Sequence, residues 1–98
     1  MSYASITVAE VLTIEDYWAV DAALGSDRAE GLISEAAGCS DGGLHVITLW
    51  ESKADQERFI SERIVPAFEA ASVRPGPLTF TNFDLDALYV NADQTVTG

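Results

Sequence analysis

The stretch Asp41-Gly42-Gly43-Leu44-His45-Val46-Ile47-Thr48-Leu49-Trp50-Glu51-Ser52 decides the architecture. Its first three residues, with Cys39 and Ser40 before them, tolerate positive φ and concentrate turn formers, which predicts a hairpin. From Gly43 to Ser52 the chain then reads as a strand. Leu44, Val46, Thr48 and Trp50 fall on one side, and His45, Ile47, Leu49 and Glu51 on the other. Both sides are largely apolar, so both need cover. A sheet with one wet face should alternate more cleanly.

Working outward, Ser52 with Asp55 three residues on predicts the cap of a long helix whose Ile60, Ile64, Ala67, Phe68 and Ala71 form one stripe. Pro66 lies within it, and its missing N–H predicts a kink or break between Val65 and Ala67. Arg58 and Glu62 have the spacing of an exposed helical ion pair. Val73-Arg74-Pro75-Gly76-Pro77 cannot continue a helix, and Leu78 to Leu85 alternates as a strand. Ala87 to Val90 reads as a short strand or an outward arm, and 91–98 as a polar tail.

Upstream, Ala4, Ile6 and Val8 alternate with Ser5, Thr7 and Ala9 in a strand ending near Leu12. Thr13 then caps a helix with Glu15 and Asp16 in its first turn, which Gly25 stops. Leu32 to Ala37 completes the hairpin. The order strand, helix, strand, strand, helix, strand predicts a ferredoxin-like α+β domain over residues 1–90, with a four-stranded antiparallel sheet and both helices on one face. Leaving several hundred Å² of the other face in water would forgo on the order of ten kcal/mol, comparable with a small domain's entire stability. A second copy packed sheet to sheet covers it, so a homodimeric α+β barrel is expected, with 87–90 as an exchange element.

Composition narrows the function. Sixteen acidic against five basic residues give a net charge of −11, which repels nucleic acid and anionic membrane surfaces. One cysteine allows no intrachain disulfide, and no export signal or long apolar run is read, so a cytoplasmic protein is expected. A single histidine, without metal-ligand spacings, predicts neither a metal nor a bound cofactor. Without a nucleophile-elbow motif, hydrolase chemistry is not expected.

The run from Asp41 to Ser52, followed by Phe59 and Glu62-Arg63-Ile64-Val65-Pro66-Ala67, resembles the antibiotic-biosynthesis-monooxygenase-like branch of the dimeric α+β barrel proteins, over residues 3 to 90. The resemblance implies the barrel. It also implies a choice among cofactor-free monooxygenation of aromatic polyketides, haem degradation and no reaction. Haem-degrading members use a helix-borne His with an Asn and a Trp. Here His45 falls on a strand and no Asn precedes Asn82. The cofactor-free members surround a phenolic substrate with Trp, Tyr, Arg and Asn side chains, and this chain offers Trp18, Trp50, Tyr17 and Arg63.

His45 is the side chain whose unperturbed pKa lies near neutrality, which makes it the catalytic candidate for proton abstraction. Its structural alternative is a place in the sheet-to-sheet interface or at an exposed strand start. Trp50, Trp18 and Tyr17 could stack on an aromatic ligand, and Arg63 could hold an anionic one. Phe59, Phe68, Phe80 and Phe83 are read as packing residues, and Cys39 as small and semi-buried. Two functions follow: a small dimeric barrel binding a compact aromatic molecule, with cofactor-independent monooxygenation as its reaction, or a non-catalytic structural or interaction dimer.

Overall fold

The computed structural model of the protein describes residues 2–27 and 29–90. The expected tail, 91–98, lies outside the described residues. The elements are β1 (Tyr3–Ala9), α1 (Ile14–Leu24), β2 (Leu32–Ser40), β3 (Gly43–Trp50), α2 (Lys53–Phe59), a π-helical turn (Ile60–Ile64), α3 (Val65–Ala71) and β4 (Leu78–Asp84). The sheet has four strands in the order β2-β3-β1-β4, antiparallel throughout. This is the expected ferredoxin-like α+β arrangement.

Local chemistry sets each boundary. Thr13 and Asp16 close a capping box: the Thr13 hydroxyl accepts the Asp16 N–H, and the Asp16 carboxylate accepts the Thr13 N–H. Ser52 accepts the Asp55 N–H at the start of α2. In the β2–β3 turn the positive φ falls on Gly43, at 108°. A Cβ there would lie 2.4 Å from the Ala9 carbonyl oxygen and 2.7 Å from Glu10 Cα, so the neighbouring strand leaves room for glycine only.

Pro66 does not break the helix between Val65 and Ala67 as expected. The backbone adjusts one turn earlier, where the Val65 N–H bonds to the Ile60 carbonyl in the wider π geometry. A proline ring clashes with the carbonyl four residues back and supplies no N–H, and a widened turn relieves both conflicts without interrupting the rod. A second correction concerns Arg58, which turns back to Asp55 rather than forward to Glu62. The guanidinium holds the Asp55 carboxyl below its ordinary range, chiefly through this hydrogen bond.

Register assigns the two faces. Tyr3, Ser5, Thr7 and Ala9 of β1 lie beside Trp50, Thr48, Val46 and Leu44 of β3, under the helices. Ala4, Ile6 and Val8 lie beside Leu49, Ile47 and His45 on the opposite face, with Phe83 of β4 next to Ala4. Two small cores pack at opposite ends of these columns. Tyr3, Ala29 and Trp50 join Leu32 and Phe59 at one end, and Ala9, Leu12 and Leu44 join Phe68 and Val73 at the other.

Phe80 and Phe83 depart from the packing role expected of them, each 46% exposed, because β4 is an edge strand. Cys39 is exposed rather than semi-buried for the same reason, on the edge strand β2. Residues 85–90 form no strand. Their root is held where the Leu85 N–H donates to the Ser2 carbonyl, and Tyr89 and Val90 extend into solvent. No helix among the described residues is long and apolar enough to cross a membrane.

Candidate functional site

Between the two small cores the helices stand away from the sheet and leave a cavity of about 220 Å³. Its floor is the helix-side column of the sheet, including Ser5, Thr7, Val46 and Thr48. One wall is α1, which presents Tyr17, Val20, Asp21 and Leu24 at the spacing that brings side chains to one helical face. The other wall is the α2–α3 rod, where the π turn aims Ile60 and Ile64 inward beside Phe59 and Phe68. Leu78 and Phe80 close the β4 side, and Glu35 stands at the β2 side.

Ser5, Thr48 and Trp50 of the floor belong to one chain of hydrogen bonds. The buried Trp50 donates its indole N–H to the Thr48 hydroxyl at 2.8 Å, and that hydroxyl donates to the Ser5 carbonyl at 3.4 Å. The Ser5 hydroxyl donates to Asn82 Oδ1 at 2.6 Å and accepts from Gln56 Nε2 at 3.4 Å. Among the described residues no buried side-chain nitrogen or oxygen lacks a partner. This chain of bonds ties β1 to β3, β4 and α2.

At the β2 side the Tyr17 hydroxyl donates to the Glu35 carboxylate. Burial pushes the Tyr17 hydroxyl well above the ordinary phenol range, and the Glu35 carboxylate and Asp21 one turn along raise it further. The residues lining the cavity carry three carboxylates, Asp16, Asp21 and Glu35. Among the described residues no lysine or arginine lines it.

Two of the residues expected at a site meet here, and three do not. Tyr17 and Trp50 both line the cavity, with Trp50 only 1% exposed and tilted against Phe59 at 5.2 Å. Trp18 follows Tyr17 by about 100° around the helix, so it points outward, 58% exposed, with its ring edge-on to Tyr17. Arg63 holds the end of α1: its guanidinium donates to the Leu24 and Asp27 carbonyls at 3.0 and 3.1 Å and lies over the Phe59 ring. That is a cation at a helix C-terminus, not a ligand clamp.

His45 lies on the opposite face of the sheet from the cavity, because strand side chains alternate. Its Nδ1 is 3.0 Å from the Gly43 carbonyl oxygen and 3.4 Å from the Ser40 hydroxyl. The residue missed by sequence reading is Glu35. Its side of the sheet depends on an irregularity in β2 between Leu32 and Ser34, and a one-residue slip there would turn it outward.

No family model matches the chain, and no curated protein matches it in sequence. Its fold matches those of solved structures. A Chloroflexus aurantiacus protein assigned as an antibiotic biosynthesis monooxygenase superposes with a TM-score of 0.66 at 12% identity, over 92% of this chain and 98% of that one. The monooxygenase ActVA-Orf6 of Streptomyces coelicolor, in complex with nanaomycin D, gives 0.59 at 18% identity over 93% and 92%. SnoaB, a cofactor-independent oxygenase of Streptomyces nogalater crystallised as a mutant, gives 0.58 at 12% identity over 89% and 93%. At these identities the likeness is one of fold. The protein has the α+β fold of these antibiotic-biosynthesis-monooxygenase-like structures.

Proposed function

We propose that the protein is a homodimer whose subunits each bind a compact aromatic molecule in the cavity between sheet and helices, and oxidise it with dioxygen without a bound cofactor. The observation that carries the binding half is the cavity itself, predominantly apolar and lying over a floor in which Ser5, Thr48 and Trp50 are already bonded within the protein. A ligand site of this kind needs an apolar enclosure with a few directed polar groups, here Tyr17 and Glu35. The oxidative half rests on the shared fold and on the named activities of ActVA-Orf6 and SnoaB. The dimer rests on the apolar outer face formed by Ile6, Val8, Ile47, Leu49 and Phe83. The exposed thiol of Cys39 accords with a reducing cytoplasm.

The reaction is balanced by substrate and dioxygen alone. With 1-naphthol, one oxygen atom bonds to the carbon para to the hydroxyl. The two hydrogens bound to that carbon and to the phenolic oxygen leave with the other oxygen atom as water, giving 1,4-naphthoquinone. The ring supplies all the electrons. His45 faces away from this chemistry.

The test is oxygen uptake with 1-naphthol, alongside thermal unfolding in its presence. Binding to the native state alone raises the unfolding midpoint with ligand concentration. Quinone formed with equal oxygen consumed, undiminished in His45→Gln, is the expected result. A midpoint shift without turnover would leave a binding protein and remove the oxygenase. Silence in both measurements would favour a dimer that serves only structure or interaction.

A further inference from the structure

Four donors around the cavity are committed within the protein. Tyr17 gives its one O–H to Glu35, Trp50 gives its N–H to Thr48, Thr48 gives its O–H to Ser5, and Ser5 gives its own to Asn82. The acceptors are not exhausted. A carboxylate offers about four lone-pair directions, of which Tyr17 occupies one at Glu35, and the phenolic oxygen of Tyr17 keeps its own lone pairs. The Tyr17–Glu35 pair is therefore a polar anchor that accepts hydrogen bonds.

Charge acts in the same direction. Asp16, Asp21 and Glu35 contribute negative charge at the lining, and the chain as a whole carries −11. Among the described lining residues, a ligand carboxylate or phosphate brought here would lose water without gaining a cation. Size sets the remaining limit. The 220 Å³ available lies above the roughly 150 Å³ of an apolar cavity that holds benzene, and below the roughly 300 Å³ at which drug-sized pockets begin. That is room for one or two fused rings.

We infer that the cavity selects an aromatic molecule of one or two rings that presents an O–H or N–H donor to the Glu35 carboxylate and bears no negative charge. Glu35, with Tyr17 fixing its orientation, is then the specificity-determining residue. This inference rests on the cavity being a binding site, as proposed above, and adds which chemistry it admits.

Calorimetric titration of the intact protein with four matched probes tests it: 1-naphthol, protonated 1-naphthylmethylamine, 1-methoxynaphthalene and 1-naphthoate. The two donors are expected to bind about tenfold or more tighter than the methoxy probe, as one hydrogen bond to a charged acceptor provides. Naphthoate is expected to bind weakest. Glu35→Gln, with folding checked by circular dichroism, should reduce the preference for the ammonium probe. Tyr17→Phe keeps the carboxylate and should retain the preference for donors. Naphthoate binding as tightly as 1-naphthol would overturn this selectivity and leave the cavity a binding site. Loss of the donor preference in Tyr17→Phe but not in Glu35→Gln would overturn the assignment to Glu35. No binding by any of the four probes would remove the binding site itself, and this inference with it.

Discussion

Tyr17 carries the site's electrostatics in one measurable quantity. Its hydroxyl sits between an apolar wall and the Glu35 carboxylate, and ionising it would place a phenolate beside an existing negative charge. Burial is the largest cause of its raised pKa, followed by the Glu35 hydrogen bond. Because the folded-state value lies above the unfolded one, near 10.0, the unfolded chain releases this proton first as pH climbs. The associated stability is complete below that point and declines above it, towards the folded-state value. An ultraviolet titration of the native protein should show a tyrosine that resists ionisation above pH 10, and Tyr17→Phe should delete that step. Glu35→Gln should lower the step without returning it to the ordinary value, since the burial remains. A Tyr17→Phe curve that keeps the late step would show that another group produces it. Sequence reading brought Tyr17 forward by residue type and helical spacing. It had no route to Glu35, because a lone acid in the weakly apolar run Leu32 to Ala37 has no side until the irregularity near Ile33 is known.

At the scale of elements, the α2–α3 rod shows what a residue pattern leaves open. The apolar stripe from Ile60 to Ala71 identified the helix, and Ser52 with Asp55 identified its start. Pro66 announced an irregularity but not its place. Three geometries relieve a proline conflict: a kink, a break or an expanded turn. Packing chose the last, because both Ile60 and Ile64 before the proline and Phe68 after it must face the same cavity. The π turn amounts to one residue more than an α-helical turn would hold, so its removal should restore α geometry with the flanking faces still in phase. Deleting the exposed Ser61 alone would then set Pro66 inside a regular helix, at a cost of about 3 kcal/mol. Deleting Ser61 together with Pro66→Ala should recover most of that loss. Denaturant unfolding of the two variants checks this. Equal destabilisation in both would show that the expanded turn answers to packing and not to the proline.

At the scale of the whole molecule, the two-sided apolar pattern of Gly43–Trp50 was legible from the start, and the fold gives each side a different use. Leu44, Val46, Thr48 and Trp50 face the helices and floor the cavity, while Ile47 and Leu49 lie on a face with no helix over it. Four strands about 4.8 Å apart and seven residues long at about 3.4 Å each span roughly 450 Å² in plan. Stable interfaces take about 800 Å² from each partner, so this face needs help to hold a dimer. The arm beyond Leu85 can provide it, since Tyr89 is 93% exposed and Val90 68%. Each copy would lay its arm along its partner and cover what the flat face leaves short. Ile47→Asp would place one uncompensated carboxylate from each copy in the proposed interface, at a cost of several kcal/mol, and should give a monomer of 10.5 kDa by light scattering. Tyr89→Ala removes only rim area and should weaken the dimer without abolishing it. His45 lies on this same face, away from the cavity, so Ile47→Asp should leave its Gly43 contact intact and, with the proposed dimer gone, leave the ring open to solvent. A wild-type protein that runs as a monomer at micromolar concentration would show that this face stands bare, and that the cavity is complete within one chain.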